Sequence, residues 1–336
     1  MLRWRLLIGI PLVAVLMTLC WLDTKCVVPG LLLTPFFLVC VFFLCKEILA
    51  LLNAGGVYPR RSTIFVGIFG TILICWCSCL NELALKELAA RFAYSGSGAS
   101  SVVVDASPER EGAARAALDQ SSETSTTHEW RVSTNASLHI LLAIAAGVFI
   151  AFVGEMLRFR SPGGHLINLS GAVFAIIYIG ALGSFIIMLR TAFGLMALLS
   201  MILVAKMCDV GAYTVGRLVG RHKMAPSLSP GKTIEGIIGG MVFAVATSAL
   251  CVKYLFPLES GSSSSTTLLG ISIYGITVGA AGALGDLAES LIKRDVSRKD
   301  SGRNVPGFGG FLDIFDSLLL AAPVAFALWA YGIIKL

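Results

Sequence analysis

One helix face near the end of the eighth long apolar run carries two acids, a serine and a lysine. They stand at offsets of 0, 3, 4 and 7 residues: Asp286, Glu289, Ser290 and Lys293. This spacing places all four on the same side of an α-helix. Such a set is too polar to face lipid. We therefore predict that these side chains point into a common polar cavity.

Two further acids, Asp313 and Asp316, repeat the three-residue spacing at the start of the ninth apolar run. An intramembrane carboxylate is costly unless it is paired, neutralised or bound to a metal. The ligands on offer are hard oxygens without histidine, which favours Mg²⁺ over zinc. We predict a Mg²⁺ site made by Asp286, Asp313 and Asp316, with a second, monovalent cation left open. Alternatively, each Asp pairs with Lys293 or Arg294, or caps a helix.

The segment between these acids is basic and rich in glycine. Its cations attract phosphates, and its glycines let backbone N–H groups approach a bound anion. The cations are Lys293, Arg294, Arg298, Lys299 and Arg303, and the interleaved residues are Gly302, Pro306, Gly307, Gly309 and Gly310. For any one of these charges, membrane orientation and attraction to anionic lipid are the alternative explanation.

A second polar patch begins at Asp209 and leads to the string S-P-G-K-T-I-E-G, which starts at Ser229. Its Gly-Lys-Thr is a weak match to a nucleotide-binding P-loop, because the glycine-rich lead after a strand is missing. Lys232 at a helix start, with Glu235 just inside the helix, could hold a phosphate. Capping of that helix by Ser229 or Thr233 is the alternative.

The elements that must carry these residues are membrane-spanning helices. Of the 336 residues, 56% are hydrophobic and 14% are charged, against about 25% charged in ordinary soluble domains. The apolar residues fall in long runs and not in short alternating stretches, which argues against a membrane β-barrel. We predict an all-α, polytopic integral membrane protein with about nine transmembrane helices, at about 6–22, 28–45, 63–80, 138–157, 170–189, 192–208, 234–254, 267–290 and 311–333.

The runs divide into two regions. Residues 1–137 form an N-terminal three-helix membrane region. Its hydrophilic loop, 81–137, is expected to be flexible apart from a short amphipathic helix at 82–92. Residues 138–336 form a six-helix catalytic membrane region that holds all the polar motifs.

The distribution of basic residues predicts the orientation. The loops on one side carry sixteen Lys and Arg, against four on the other, when the 81–137 loop is left out. By the positive-inside rule, the N-terminus and the loops 209–233 and 291–310 face the cytoplasm. The net charge of +6 gives no support for nucleic-acid binding. Phosphates, a hard metal and a cavity at this surface suit phosphoryl or nucleotidyl transfer between a soluble nucleotide and a lipid.

The string from Ser290 to Asp316 resembles the signature of the phosphatidate cytidylyltransferases, also called CDP-diacylglycerol synthases. That signature reads S-x-x-K-R, then K-D, then P-G-x-G-G-x-x-D-x-x-D. Eleven positions agree in register: Ser290, Lys293, Arg294, Lys299, Asp300, Pro306, Gly307, Gly309, Gly310, Asp313 and Asp316.

The resemblance extends upstream and has one clear departure. D-x-G-A-Y at 209–213, S-P-x-K-T-x-E-G at 229–236 and G-D-L-x-E-S at 285–290 also look like family motifs, and a looser pattern includes Tyr178. Phe308 stands where many family members have His. A proton-transfer role at that position is therefore not carried over to this chain.

The resemblance implies that CTP and phosphatidic acid are converted to CDP-diacylglycerol and pyrophosphate with Mg²⁺. It also implies an all-helical fold, a homodimer as one assembly, and a bacterial inner membrane with the active site facing the cytoplasm. The residues implied for catalysis are Lys293, Arg294, Asp286, Asp313 and Asp316. Those implied for substrate binding are Ser229, Lys232, Thr233, Glu235, Ser290, Lys299, Gly307, Gly309 and Gly310.

Two other functions stay open at this point. A CTP-dependent polyprenol or phytol kinase needs the same acids, lysines and Mg²⁺, but it transfers the γ-phosphate to a neutral hydroxyl. An ion-coupled transporter would bind a cation near the middle of the membrane. The transporter is disfavoured because Asp286, Asp313 and Asp316 lie near the predicted cytoplasmic ends of their spans.

Overall fold

The computed structural model describes residues 15, 18–25, 30–97, 138–257, 266–302 and 309–334, with the backbone alone for 81–97. Within these ranges, eight helices are long and apolar enough to cross a membrane. They are α1 Leu33–Ala54, α2 Arg61–Ser97, α3 Leu138–Met156, α4 His165–Phe193, α5 Leu195–Val219, α6 Ile234–Leu255, α7 Leu268–Asp295 and α8 Leu312–Ala330. The all-α, polytopic membrane fold is thereby confirmed.

Each of these helices corresponds to one predicted span, and the first predicted span, 6–22, lies mostly outside the described residues. The helix expected at 82–92 is not separate, because α2 continues without a break to Ser97. Residues 81–94 are rich in Ala, Leu and Glu, all good helix formers, and contain no glycine or proline that would end the helix. The remainder of the predicted flexible loop, 98–137, also lies outside the described part of the chain.

A small β-hairpin, which the sequence did not predict, lies between α5 and α6. Strands β1, Lys223–Ala225, and β2, Ser229–Thr233, pair antiparallel. Pro226 and Pro230 disfavour helix here, because proline lacks the N–H that a helix needs. Strand β2 ends at Thr233, and α6 begins at the next residue, Ile234.

Helix α4 contains a π-helical segment, Ile176–Ala181, in which the backbone hydrogen bonds span five residues instead of four. Ile176 packs against two glycines of adjacent helices. A Cβ at Gly67 of α2 would lie 2.5 Å from Ile176 Cδ1, and a Cβ at Gly147 of α3 would lie 2.7 Å from Ile176 Cγ2. These glycines let α4 approach closely and place Tyr178, inside the π segment, towards the centre of the bundle.

One hydrophobic core runs through both predicted regions. Phe43 of α1 stacks on Phe311, just before α8, with ring centroids 4.7 Å apart, and Phe37 of α1 lies 6.0 Å from Phe315 of α8. Buried side chains of α1 and α8 belong to the same core cluster. The described part of the N-terminal region therefore packs directly on the helix that carries Asp316, and the division at residue 137 stays a prediction.

Candidate active site

Three buried or half-buried carboxylates meet between α7 and α8. Asp286 and Glu289 lie one turn apart on α7, and Asp316 lies in the second turn of α8. One oxygen from each lies within 4.8 Å of the other two. Gly285 allows this meeting, because a Cβ there would lie 3.0 Å from Ser317 Cα on α8. The two helix backbones are in contact next to the acids.

A different lysine accompanies each carboxylate. Lys232 Nζ, from β2, lies 2.8 Å from Asp286, and Lys293 Nζ, from α7, lies 2.7 Å from Glu289. The third lysine, from α5, places its Nζ 4.0 Å from Asp316. The carboxylates are therefore balanced by cations from three elements, as buried charges must be if they are not to cost several kcal/mol each.

The donor set fits a hard divalent cation. Oε1 of Glu289 is buried and has no hydrogen-bond partner among the described residues, although Oε2 binds Lys293. A buried carboxylate oxygen without a donor is costly and is therefore rare. The acids offer only oxygen ligands, the chemistry that Mg²⁺ prefers. Asp286, Glu289 and Asp316 are the residues that could hold such an ion.

Asp313 takes a different position from the other predicted ligands. Its Oδ1 accepts from Lys293 Nζ at 2.7 Å. Its Oδ2 accepts from the Gly310 N–H at 2.7 Å and from the Ser301 hydroxyl at 3.0 Å. The lysine pairing that the sequence left open is present here, whereas the Gly310 contact lies before α8 and is not an N-cap bond of that helix. A ligand role for Asp313 stays a prediction.

Lys206 of α5 was missed by the sequence analysis. Its Nζ donates to Ser317 Oγ at 2.6 Å and to the Ile314 carbonyl at 3.0 Å, and it lies 3.7 Å from Asp209. Lys206 thereby joins α5 to the first turns of α8 and brings Asp209 to the edge of the carboxylate cluster. The available signal was a lysine inside an apolar run, three residues before Asp209, since an intramembrane charge marks a functional position by default.

The predicted phosphate-binding residues at the start of α6 have defined structural partners. Thr233 is the N-cap residue, and its hydroxyl accepts from the Gly236 N–H at 3.1 Å. Glu235 accepts from the backbone N–H of His222 at 3.2 Å and from its ring at 2.6 Å, which ties the hairpin to α6. Ser229 begins β2. Only Lys232 of this group reaches the carboxylate cluster.

The remaining predicted residues differ in exposure and in the contacts that they make. Arg294 and Lys299 are exposed, and Ser290 is half-buried next to Glu289 on α7. Arg294 Nε is 3.4 Å from the Leu228 carbonyl in the hairpin loop. Gly309 has a φ of +94°, a left-handed conformation that favours glycine, and Gly310 binds Asp313 through its N–H. Gly307, with Arg303, Pro306 and Phe308, lies outside the described residues.

Tyr178 adds a hydroxyl beside the acids. Its side chain is buried, and within the described ranges its hydroxyl has no hydrogen-bond partner. The charges of Glu289, Asp316 and Asp286 act on it. Its place in the π segment, a feature frequent at functional sites, marks it as a further candidate for contact with substrate. The sequence offered only the loose upstream pattern as a signal.

Comparisons with known proteins give matches over most of the chain and over its parts. A family model described as "Cytidylyltransferase family" matches residues 3–331. The protein YnbB of Escherichia coli K12, named as uncharacterized, is 34% identical over 195 residues, which cover 56% of this chain and 62% of that protein. The phosphatidate cytidylyltransferase of Staphylococcus haemolyticus is 42% identical over 132 residues, or 39% of this chain and 48% of that enzyme.

A second enzyme gives the same result. The phosphatidate cytidylyltransferase of Haemophilus influenzae is 39% identical over 130 residues, which cover 39% of this chain and 44% of that enzyme. The chain thus spans about half the length of the curated relatives it matches. These findings confirm the resemblance that the motifs indicated.

Proposed function

Since this chain belongs to the cytidylyltransferase family, we propose that it is a phosphatidate cytidylyltransferase, which makes CDP-diacylglycerol and pyrophosphate from CTP and phosphatidic acid. The observation that carries the proposal is the cluster of three carboxylates, each with its own lysine, where the C-terminal part of α7 meets the start of α8. Such a cluster suits two phosphate-bearing substrates, of which one is soluble and the other is a lipid. Relatives named phosphatidate cytidylyltransferase support the choice of substrates.

The reaction joins two anions. A phosphate oxygen of phosphatidic acid attacks the α-phosphorus of CTP and forms a new P–O bond. The bond from that phosphorus to the bridging oxygen of the β-phosphate breaks, and pyrophosphate leaves with the electron pair. Because the nucleophile is already an anion, no general base is required. The main barrier is the mutual repulsion of the phosphates, which nearby cations lower.

Two lysines of the site can supply these cations. Lys232 and Lys293 lie against carboxylates, and a bound polyphosphate would offer each of them an alternative anion. We propose that the triphosphate of CTP binds to these two lysines, to the exposed Arg294 and Lys299, and to the glycine segment that ends at Gly310. The binding roles of Ser229, Thr233, Glu235, Ser290, Gly307 and Gly309 stay predictions.

We propose Mg²⁺ as the cofactor, held by Asp286, Glu289 and Asp316. When bound, it would neutralise phosphate charge and stabilise the departing pyrophosphate. Asp313 then holds Lys293 next to Glu289 of this cluster, through a 2.7 Å hydrogen bond from the lysine. A second, monovalent cation and a homodimer are predictions that still need their own tests.

The function is tested with purified protein, phosphatidic acid and CTP labelled at either the α- or the γ-phosphate, followed by lipid extraction. We expect α label in the lipid, γ label in pyrophosphate, and loss of both after EDTA. Label from the γ position in lipid would show a kinase instead. Absence of label in lipid with Mg²⁺ present would refute the proposal.

We also propose that the site faces the cytoplasm of a bacterial inner membrane. In a background without reactive native thiols, cysteines introduced at Ser227 and Tyr331 should react with an impermeant reagent from opposite sides. Ser227 lies in the exposed hairpin loop, and Tyr331 is 77% exposed just after the far end of α8. Ser227 should react from the cytoplasmic side. Reaction of both from one side would contradict the sixteen-to-four distribution of basic residues as a guide to orientation.

A further inference from the structure

Glu47 of α1 places its carboxylate at the start of α8. Its side chain is buried, and its two oxygens accept from the backbone N–H groups of Phe311 at 3.0 Å and Leu312 at 2.8 Å. The first N–H groups of a helix have no partner within that helix, and a negative charge near them is favourable. Glu47 thus caps α8 from a helix more than 250 residues away in sequence.

Glu47 also connects to the lysine of the site through two side chains. The Ser301 hydroxyl lies 3.2 Å from Glu47 Oε2 and 3.0 Å from Asp313 Oδ2. Asp313 Oδ1 in turn binds Lys293 Nζ at 2.7 Å. The described contacts therefore form a continuous polar path from α1 to Lys293.

Two glycines of the basic segment make room for this carboxylate. A Cβ at Gly302 would lie 2.6 Å from Glu47 Oε1. A Cβ at Gly310 would collide with Glu47 Oε2 and with the Ser301 hydroxyl. Neither glycine has a left-handed φ. At these positions the absence of a side chain is explained by the acid that occupies the space.

We propose that Glu47 is a positioning residue for the catalytic centre, one that fixes the start of α8 and Ser301 and thereby the places of Asp313 and Lys293. The activity part of its test rests on the proposed function. The structural part does not, because it measures amide hydrogen exchange at residues 310–312 in the absence of substrates.

The experiment compares Glu47→Gln with Glu155→Gln in the full-length protein. The Glu47→Gln change would turn an NH₂ group towards a backbone N–H, so that one accepting contact is lost at nearly constant size. Glu155 is a matched control, because it is a buried acid on α3 whose neighbours are Arg158 and His165. We expect Glu47→Gln to lower kcat by about tenfold or more with little change in the KM for CTP, as small misplacements of reacting groups do.

A second readout is independent of activity. Amide hydrogen exchange without substrates should speed up at residues 310–312 in Glu47→Gln and remain unchanged there in Glu155→Gln. If the wild-type protein makes no CDP-diacylglycerol, the proposed function fails while this exchange result still tests the placement of Glu47. Unchanged exchange at 310–312 would overturn the inference.

Ser301→Ala keeps the contacts of Glu47 with Phe311 and Leu312 but removes the hydroxyl between Glu47 and Asp313. This variant tests the same inference if Glu47→Gln does not fold. We expect its kcat to fall several-fold, and its effect to be less than additive with that of Asp313→Asn, since the two residues share one path. A kcat within twofold of wild type in folded Ser301→Ala, or an equal kcat loss in Glu155→Gln and Glu47→Gln, would refute positioning through this path.

Discussion

Asp286→Asn and Asp316→Asn should each lower turnover by about two orders of magnitude or more, if the proposed metal supplies several kcal/mol of transition-state stabilisation. Each change removes a charged oxygen from the cluster that spans 4.8 Å. Each also leaves a lysine, Lys232 or Lys206, without its nearest carboxylate in the cluster. The measurement is transfer of α label from CTP to lipid over a range of Mg²⁺ concentrations, in which we expect the variants to need more Mg²⁺.

Asp295→Asn is the matched control, because Asp295 ends the same helix and is exposed to solvent. Its turnover should stay close to that of wild type. Normal Mg²⁺-dependent turnover in folded Asp316→Asn would show that the cluster does not hold the catalytic metal.

Asp313→Asn separates the two roles open to that residue. If Asp313 is a ligand, as the sequence predicts, the variant should need more Mg²⁺ for half-maximal rate. If its function is to hold Lys293, the rate should fall at every Mg²⁺ concentration with the requirement unchanged. The contacts with Lys293, Ser301 and Gly310 favour the second result.

Lys293→Ala should lower kcat by about two orders of magnitude, as removal of a preorganised donor at a developing charge does. The KM for CTP should rise much less, because the charge is needed more as pyrophosphate leaves than in the ground state. Lys293 is suited to this role because its side chain is only 12% exposed and is held between Glu289 and Asp313. Lys253→Ala, at an exposed lysine near the far end of α6, is the control.

The competing explanation is that Lys293 only neutralises Glu289, with which it forms an i,i+4 pair at 2.7 Å. Because Glu289 is itself a proposed Mg²⁺ ligand, the Mg²⁺ requirement of Lys293→Ala distinguishes the two. A changed Mg²⁺ requirement with little change in maximal rate would favour the structural pair. A loss of rate at every Mg²⁺ concentration, with the requirement unchanged, would favour direct contact with phosphate.

The parts of this molecule that could be predicted from sequence are those set by local periodicity. Long apolar runs predicted the eight described helices, because a helix must be apolar over about 20 residues to span a bilayer. The three-residue spacing of Asp286 and Glu289 predicted a shared face because neighbouring turns of a helix align. Both signals are contained in short stretches of sequence.

The parts that could not be predicted depend on contacts between distant segments. Glu47 lies just beyond a predicted span, and nothing near it in sequence shows that it meets Ser301 and Leu312. Lys206 lay inside an apolar run, and its partner Ser317 is 111 residues away. Glu289 enters the carboxylate cluster in the position expected for Asp313, because Asp313 turns to the Gly310 N–H and to Lys293 instead.

Because translation runs from α1 to α8, Glu47 is synthesised long before the backbone groups that it caps. The groups that Glu47 accepts from are added 254 to 265 residues after it, which is about 13 to 50 s at roughly 5 to 20 residues per second. During that interval α1 carries a carboxylate close to the membrane while those partners do not yet exist, and such a charge opposes deep insertion. We expect ribosome-bound chains that stop before α8 to leave α1 more open to protease than the finished protein does. A helix that is synthesised late, α8, thus completes the packing of α1.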